Sequence, residues 1–282
     1  MTAAAALAPE LVPSAPVRPE PTAAYTVEDV LWVKPWTDRL FSFALTRPAS
    51  FRFRSGEFVM VGLPALPGEK KPILRAYSIA SPSWAEEMEF LSIAVPDGPL
   101  TSRLVDIRPG DPVLLGRKPT GTLVLDALKP GRRLFLIGTG TGLAPWLSVA
   151  RDPDTYERFE RVIVTHTVRN EADLTYRDFF EREIFEDELI GEQARAQLSY
   201  YPTVTREPFK HPGRITTRIL SGECFRDLNL DCTAFDPEID RVMLCGSMAM
   251  IKETAALLES QGMVEGSNAE PGDFVLERAF VG

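Results

Sequence analysis

The chain has 282 residues, 44% of them hydrophobic, and a formal net charge of −9. This length allows two domains with substantial cores, and the acidic balance argues against a general nucleic-acid-binding protein. The three cysteines form no CxxC pair and there are only two histidines, so we expect no disulfide framework, iron–sulfur site or other metal centre.

The first 24 residues are rich in alanine and proline. No charged region precedes a continuous apolar stretch, so this segment predicts a disordered tail rather than a secretory signal. No apolar run in the chain approaches the roughly 20 residues that a membrane span needs. We therefore expect a cytoplasmic protein that binds neither membranes nor nucleic acids.

Residues 25 to 129 predict a small all-β domain. Short β-rich runs alternate there with turn signals; they read "LFSFALT", "EFVMVGLP", "RAYSIAS", "EFLSIAV" and "DPVLLG". Several short strands at this spacing are typical of a barrel or sandwich. One helix is predicted within this part, at "GPLTSRLVDI".

From residue 130 the pattern changes to alternating strands and helices. The predicted strands are "RRLFLIG", "RVIVTHT", "LSYYPTVT" and "DRVMLCG". The predicted helices are "LAPWLSVAR", "DLTYRDFFEREIFEDELIGEQ", "ITTRILSG" and "SMAMIKETAALLESQG". This alternation predicts a parallel sheet with helices on both faces.

The stretch "GTGTGLAPW" at residues 138–146 follows the first of these strands. Gly138, Gly140 and Gly142 are spaced as GxGxG, which differs from the GxGxxG of the usual dinucleotide fingerprint. The mechanism is nevertheless available, because glycines let the backbone approach a pyrophosphate and Pro145 suits the first turn of a helix. A glycine-rich connection without a special function is the alternative.

Arginines follow the next two predicted strands. Arg169 comes after "RVIVTHT", and Arg206 and Arg214 come after "LSYYPTVT". Arginines beyond the carboxyl ends of parallel strands suit the 2′-phosphate of NADP, which they can bind bidentately. Ordinary surface arginines are the alternative, and the nearby acids Glu171 and Asp173 would suit NAD instead.

Several motifs together resemble the bacterial ferredoxin/flavodoxin–NADP(+) reductases, a subclass of the plant-type reductase superfamily. The motifs are "RAYS" at 75–78, "GPLTSRL" at 98–104, "GTGTGLAP", "VTRE", "LCGSMAM" and the terminal "FVLERAFVG". The resemblance runs from residue 25 to the end. It implies an antiparallel FAD-binding β-barrel over 25–129, followed by a five-stranded parallel-sheet NADP(H)-binding domain over 130–282, whose last segment returns to the flavin.

The resemblance also implies an activity. It is hydride transfer between NADP(H) and FAD and single-electron transfer with a ferredoxin or flavodoxin, by a monomer. An acidic carrier needs a local basic surface on this acidic chain, and scattered solubilising charge is the alternative to such a patch. The candidate patch in the barrel half consists of Arg47, Arg52, Arg54, Lys70 and Lys71.

By resemblance, Arg75 binds the FAD pyrophosphate, Tyr77 lies against the flavin, and Ser78 lies beside its N5 atom. Ala279 stands where the plant enzymes have a terminal tyrosine, and Phe280 is the candidate aromatic contact for the FAD adenine. The implied FAD contacts are Arg75, Ala76, Tyr77, Ser78, Ser92, Ile93, Ala94, Val95, Gly98, Pro99, Leu100, Thr101, Ser102, Thr141, Ala279 and Phe280.

The resemblance also places a catalytic group, consisting of Ser78, Cys245 and Glu277, near the nicotinamide. Judged alone, Cys245 would be a buried small hydrophobe and Glu277 a solvated acid. The implied NADP contacts are Gly140, Thr141, Gly142, Val168, Arg169, Thr205, Arg206, Arg214, Cys245, Gly246 and Ser247. Two other functions remain open: a stand-alone oxygenase reductase or free-flavin reductase, and a non-catalytic dinucleotide sensor.

Overall fold

The first half of the chain forms a curled, six-stranded antiparallel sheet in the computed structural model, which describes residues 18–66 and 68–278. The strands are β1 (Tyr25–Pro35), β2 (Leu40–Thr46), β3 (Phe58–Leu63), β4 (Ile73–Ser78), β5 (Glu87–Ile93) and β6 (Pro112–Gly116), in the order β4-β3-β6-β1-β2-β5. The hydroxyls of Tyr77 on β4 and Ser92 on β5 lie 3.1 Å apart, so the two edge strands approach each other. The antiparallel half-barrel confirms the predicted architecture.

The second half is a five-stranded parallel sheet, as predicted. Its strands are β7 (Arg133–Thr139), β8 (Arg161–Val168), β9 (Leu198–Val204), β10 (Asp240–Gly246) and β11 (Phe274–Arg278), in the order β11-β10-β7-β8-β9. The chain adds β8 and β9 on one side of β7 and then β10 and β11 on the other, so the strand order reverses between β7 and β10. Ligands bind such parallel sheets at the carboxyl ends of the strands beside this reversal.

Helices cover both faces of the parallel sheet. The barrel half contains one short helix, α1 (Thr101–Leu104), between β5 and β6. The others are α2 (Ala144–Ala150), α3 (Pro153–Arg158), α4 (Arg177–Glu181), α5 (Gly191–Gln197), α6 (Ile215–Leu220), α7 (Glu223–Asp227) and α8 (Met248–Ser260). Side chains of β7 alternate between two cores: Leu136 packs with Trp146 of α2, and Ile137 packs with Ile251 of α8. This alternation confirms the predicted three-layer arrangement.

The two halves share an apolar core. Ala80 and Leu91 of the barrel belong to the same buried cluster as Trp146 and Leu147 of α2. Strand β2 is buried on both faces from Leu40 to Leu45, because one face lines the barrel and the other faces the parallel-sheet half. Among the residues described, no helix combines the length and apolar character needed to span a bilayer.

The predicted long helix over residues 173–193 is wrong. The segment contains only α4, a short 3-10 turn over 183–186 and the start of α5. Tyr176 adopts a left-handed φ of 55° before α4, and Asp187 accepts hydrogen bonds from the N–H groups of Leu189 and Ile190. Such local aspartate bonds compete with helical pairing and separate the pieces.

Three further features differ from the sequence-based expectations. The helix predicted at "GPLTSRLVDI" is only the four-residue α1. Strand β1 is not among the predicted strands. Its residues do not alternate regularly between buried and exposed, because a bulge between Val30 and Trp32 shifts its register against β2. Residues 18–24 fall within the predicted disordered tail, but Arg18 donates to the Val27 carbonyl and Arg117 donates to the Thr22 carbonyl. The chain is therefore attached to the barrel from residue 18, and the rest of the predicted tail lies outside the described residues.

Candidate active site

Two cavities meet in the cleft between the two halves. The barrel-side cavity, about 500 Å³, is lined by Arg75, Ala76, Tyr77, Ser78, Leu91, Ser92, Ile93, Val95, Asp97, Gly98, Pro99, Leu100, Thr101, Thr141, Gly142, Ala144 and Cys245. The strand-end cavity, about 750 Å³, is lined by Arg39, Leu40, Ile93, Thr139, Gly140, Thr141, Thr167, Val168, Arg169, Asp173, Thr205, Arg206, Arg214, Ile215, Thr216, Gly246, Ser247, Met248 and Met250. Ile93 and Thr141 line both, so ligands in the two cavities would touch there.

The barrel-side cavity has the groups that a dinucleotide with a flat ring requires. Arg75 is exposed and has no carboxylate partner among residues 18–66 and 68–278, so its guanidinium is available to an anion. At Gly98 a Cβ would lie 2.4 Å from the Thr101 hydroxyl, so a larger residue there would displace the Thr101 side chain within the turn over 95–101. The Thr101 hydroxyl in turn accepts from the Val95 N–H at 3.2 Å. Arg75 and this turn could hold a pyrophosphate beside the apolar surface of Tyr77 and Leu91, an arrangement that fits FAD.

Ser78, Cys245 and Glu277 come from three strands and meet at the junction of the two halves. Cys245 on β10 is the register partner of Glu277 on β11. Burial raises the pKa of the Cys245 thiol far above its usual value, the charge of Glu277 raises it further, and a hydrogen bond with Ser78 lowers it in part. The thiol is therefore neutral at physiological pH and serves as a small polar contact rather than a nucleophile.

Glu277 is a buried carboxyl with an unusual environment. Its Oε1 atom accepts a hydrogen bond of 2.8 Å from the Thr122 N–H, while its Oε2 atom is buried with no hydrogen-bond partner in the described part of the chain. Burial raises the pKa of Glu277 to about 7, backbone donors at Thr122 and Leu123 lower it in part, and the charge of Glu57 raises it. Glu277 can therefore hold or release a proton near neutral pH.

The three glycines of "GTGTGLAPW" have different roles. A Cβ at Gly138 would lie 2.6 Å from the Trp146 ring nitrogen, and one at Gly142 would lie 2.4 Å from the Cys245 carbonyl. Gly140 instead has a left-handed φ of 55° and open space around its Cβ position. Close packing and one left-handed turn therefore bring the backbone to both cavities, with Pro145 in the first turn of α2 as predicted.

The strand-end cavity is rich in arginine. Arg169 and Arg206 are held side by side by the bond from the Arg206 N–H to the Arg169 carbonyl, 2.9 Å long. Arg214 also lines the cavity, and its guanidinium donates to the exposed carboxylate of Glu253 at 3.0 Å. This charge fits a phosphorylated ribose. Of the two nearby acids, Glu171 pairs with Arg177 at 2.7 Å, and Asp173 accepts from the Asn170 N–H at 3.2 Å.

Most of the predicted contact residues line these cavities, but some do not. Ala94 packs against the barrel core instead, and Ser102 uses its N–H for the Gly98 carbonyl. Gly142 and Cys245, predicted as NADP contacts, line the barrel-side cavity. Ala279 and Phe280 lie outside the described residues. In the described ranges, no group of His, Cys, Asp and Glu side chains could hold a metal ion.

Several lining residues were not predicted. Thr139 is the last residue of β7 and Thr167 the last but one of β8, so the rule that ligands bind at strand ends is the signal that identifies them. Arg39 comes from the barrel half and carries no signal in the sequence, because only the packing of the two halves brings it to the strand-end cavity. The others are Leu40, Leu91, Asp97, Ala144, Asp173, Ile215, Thr216, Met248 and Met250.

Two family models match the chain. Residues 35–125 match the oxidoreductase FAD-binding domain, and residues 136–256 match the oxidoreductase NAD-binding domain. The two matches fall on the antiparallel and the parallel sheet, respectively.

Curated relatives cover almost the whole chain. Ferredoxin–NADP reductase A of Sorangium cellulosum is 55% identical over 258 residues, which are 92% of this chain and 91% of the relative. Flavodoxin/ferredoxin–NADP reductase of Rhodobacter capsulatus is 52% identical over 273 residues, 97% of this chain and 98% of the relative. Among solved structures, a ferredoxin NADP+ reductase from Neisseria gonorrhoeae with bound FAD and NADP matches with a TM-score of 0.81 and 30% identity, covering 92% of this chain and 100% of that chain.

Proposed function

Because the chain belongs to the ferredoxin/flavodoxin–NADP reductase family, we propose that it is an FAD-dependent oxidoreductase. It transfers hydride between NADP(H) and FAD and exchanges single electrons with a ferredoxin or flavodoxin. The observation that carries this proposal is the meeting of two dinucleotide-sized cavities at Ile93 and Thr141. Two ligands seated there would be in contact without leaving the protein.

FAD, when bound, supplies an acceptor that takes up two electrons together and releases them singly. The residues that would hold it are those of the barrel-side cavity. Arg75 and the turn over 95–101 bind the pyrophosphate, and Tyr77 packs against the ring system. The Tyr77 hydroxyl already has a partner in Ser92 at 3.1 Å, so the ring is oriented before a ligand arrives.

Ser78 and Cys245 line the barrel-side cavity, whereas Glu277 lines neither cavity and lies beside Cys245 as its register partner on β11. Ser78 offers a small hydroxyl that does not obstruct an approaching nicotinamide. Cys245 is 2% exposed and presents a compact neutral thiol. Glu277 holds a proton at its carboxyl near neutral pH, because burial raises its pKa to about 7. The barrel and the parallel sheet together exclude water from the contact between the two cavities.

The strand-end cavity selects NADP over NAD in this proposal. Arg169, Arg206 and Arg214 surround the position of the ribose phosphate. An NAD site would place a free carboxylate on the 2′-hydroxyl, whereas here Glu171 is tied to Arg177 and Asp173 to Asn170. The arrangement therefore favours a phosphorylated ligand.

The carrier protein docks on the barrel half in this proposal. Of the five candidate cations, Arg54 is paired with Glu57 at 3.0 Å. Burial, and after it the charge of Arg52, lowers the pKa of Arg47. Arg47 and Arg52 precede strand β3 whereas Lys70 and Lys71 follow it, so the two basic groups lie at opposite ends of that strand. In this proposal the acidic carrier is attracted to the end with Arg47 and Arg52, where Ser78 of β4 pairs with Phe58 of β3. We further propose that the protein is a cytoplasmic monomer.

The experiment that tests this proposal measures electron transfer from the reduced flavin to a carrier protein. The FAD-loaded protein is reduced with NADPH and mixed with an oxidised ferredoxin or flavodoxin of the same source. Reoxidation of the flavin coupled to carrier reduction supports the proposal. A protein that reduces free flavin or oxygen at the same rate with and without the carrier would instead be a free-flavin reductase.

A further inference from the structure

We propose that His166 is a positioning residue for the dinucleotide, because its buried imidazole fixes the Gly140 carbonyl and thereby the peptide that faces the pyrophosphate. This inference rests on the proposed function, since it assigns the strand-end cavity to NADP(H). His166 lies in strand β8 beneath the glycine-rich turn, and it is fully buried.

Both ring nitrogens of His166 are engaged. Nε2 lies 3.1 Å from the Gly140 carbonyl oxygen, and Nδ1 lies 3.2 Å from the Tyr200 hydroxyl. A carbonyl oxygen can only accept, so Nε2 carries the hydrogen and Nδ1 accepts from Tyr200. The two bonds therefore assign one tautomer and one ring orientation.

The imidazole acts through geometry rather than charge. Burial lowers the pKa of His166 to about 4, and the bond to Gly140 offsets only part of this. At neutral pH the ring is uncharged, so it adds no attraction for a phosphate. Its effect on a dinucleotide must therefore come from the shape of the turn.

Gly140 needs this support more than its neighbours do. Gly138 and Gly142 are packed against Trp146 and Cys245, whereas no described atom beyond the chain neighbours lies within 4 Å of a Cβ position at Gly140. A glycine at a φ of 55° in open space can change conformation at little cost. The bond from His166 opposes rotation of the peptide between Gly140 and Thr141.

Rotation of this peptide would invert the polarity of the turn. Gly140 and Thr141 both line the strand-end cavity. The first N–H groups of the turn that leads into α2 have no acceptor within the helix and suit a phosphate. A rotated peptide would present the Gly140 carbonyl instead, and a carbonyl oxygen repels a diphosphate. The bond from His166 therefore keeps the Gly140 carbonyl turned away from the cavity and leaves the N–H groups for the pyrophosphate.

Tyr200, which bonds to His166, is itself held in place by Phe180. The Tyr200 ring stacks on Phe180 with centroids 5.1 Å apart and planes 15° apart. Its hydroxyl is thereby fixed where Nδ1 needs a donor. Tyr200→Phe removes this donor and keeps the stacked ring, so it weakens the orientation of His166 without removing the bond to Gly140.

The experiment measures binding of two ligands to the FAD-loaded protein by calorimetry. One is NADP⁺, and the other is adenosine 2′-monophosphate, which carries the phosphate for the arginines but no 5′-phosphate and hence no part of the pyrophosphate. The variants are His166→Leu, His166→Gln and Tyr200→Phe. Thr165→Val is the matched control, because Thr165 is a fully buried neighbour on β8 whose hydroxyl has no partner in the described chain.

We expect His166→Leu to weaken NADP⁺ binding about tenfold, the effect of one lost buried hydrogen bond. Binding of adenosine 2′-monophosphate should stay unchanged. His166→Gln, whose amide can donate to Gly140, should recover most of the affinity, and Tyr200→Phe should weaken NADP⁺ binding a few-fold. In steady state, the KM for NADPH should rise while kcat stays nearly constant.

Two results would overturn the inference: unchanged NADP⁺ affinity in His166→Leu, or equal weakening of both ligands. If His166→Leu does not fold, the milder variants decide the question. Tyr200→Phe with wild-type NADP⁺ affinity then counts against it. Failure of the proposed function looks different, because the unmodified protein would then not bind NADP⁺ at all.

Discussion

The Tyr176 hydroxyl donates a hydrogen bond of 2.6 Å to Glu89 and thereby joins the parallel-sheet half to the barrel. The Ser42 hydroxyl lies 2.6 Å from the same Tyr176 oxygen, and Arg151 donates to the other oxygen of Glu89 at 3.1 Å. Because the Tyr176 hydrogen is committed to Glu89, Ser42 is the donor to Tyr176. This network fixes the orientation of the two halves and hence of the two cavities.

Tyr176→Phe should lower the free energy of unfolding by about 1–3 kcal/mol, because it leaves a buried carboxylate oxygen without its donor. Urea unfolding of the FAD-loaded protein measures this. Combined with Glu89→Gln, the two changes should be non-additive. Tyr156→Phe is the control, since the Tyr156 hydroxyl donates at 2.6 Å to the Ala150 carbonyl and shares no bond with Glu89. Additivity in both pairs would contradict the network.

Glu277 should make stability depend on pH. Its folded-state pKa of about 7 is above the ordinary 4.5, so ionisation costs folding free energy. This penalty is absent below about pH 4.5, grows between the two values and is complete above about pH 7. Relative to the wild type, Glu277→Gln should therefore gain up to about 3 kcal/mol of stability as the pH rises from 5 to 8. A difference that does not change with pH would contradict the assignment.

The activity should respond to the same ionisation. If the protonated Glu277 carboxyl supports the reaction, flavin reduction by NADPH should slow as the pH rises through about 7. Glu277→Gln, which cannot ionise, should lose this inflection. The pH profile of the reduction rate in the two proteins is the measurement, and an identical inflection in both would assign it to another group.

Gly121 leaves the space that the Glu277 carboxyl occupies. A Cβ there would lie 2.4 Å from Glu277 Oε1, at a φ of 142°. Gly121→Ala should destabilise the protein by about 1–2 kcal/mol more than Gly110→Ala, because Gly110 carries only backbone strain. Gly110 is a fair control, with a φ of 90° and open space around it. Equal losses in thermal unfolding would show that the contact with Glu277 does not matter.

Arg206 should determine the preference for NADPH. Arg206→Ala removes a charge-assisted contact to the ribose phosphate, so KM for NADPH should rise about tenfold or more. KM for NADH should stay within about twofold. Arg182→Ala is the control, since Arg182 is exposed and pairs with Asp178 on α4. Equal changes with both nucleotides would remove Arg206 from phosphate recognition.

The sequence predicts the parts of the site that lie at strand ends. Ser78 ends a run of alternating residues, Gly246 ends an apolar strand and Gly140 follows another, so local pattern and topology place them together.

Tertiary packing determines the parts that the sequence does not predict. Arg39 belongs to a hairpin of the barrel, and no local pattern connects it to the strand-end cavity. The segment over 173–193 looks helical by composition. It breaks because Tyr176 must turn, with a φ of 55°, for its hydroxyl to reach Glu89. The role of His166 is equally invisible, since a buried histidine in a strand has no signature until Gly140 and Tyr200 are located.

The most direct test of the central claim is anaerobic stopped-flow reduction of the FAD-loaded protein by NADPH and by NADPH deuterated at C4. Direct transfer between ligands that touch at Ile93 and Thr141 predicts rapid loss of flavin absorbance, slowed by deuterium, and a much slower reaction with NADH. A protein that binds no FAD, or one whose flavin is reduced faster by NADH than by NADPH, would contradict the account.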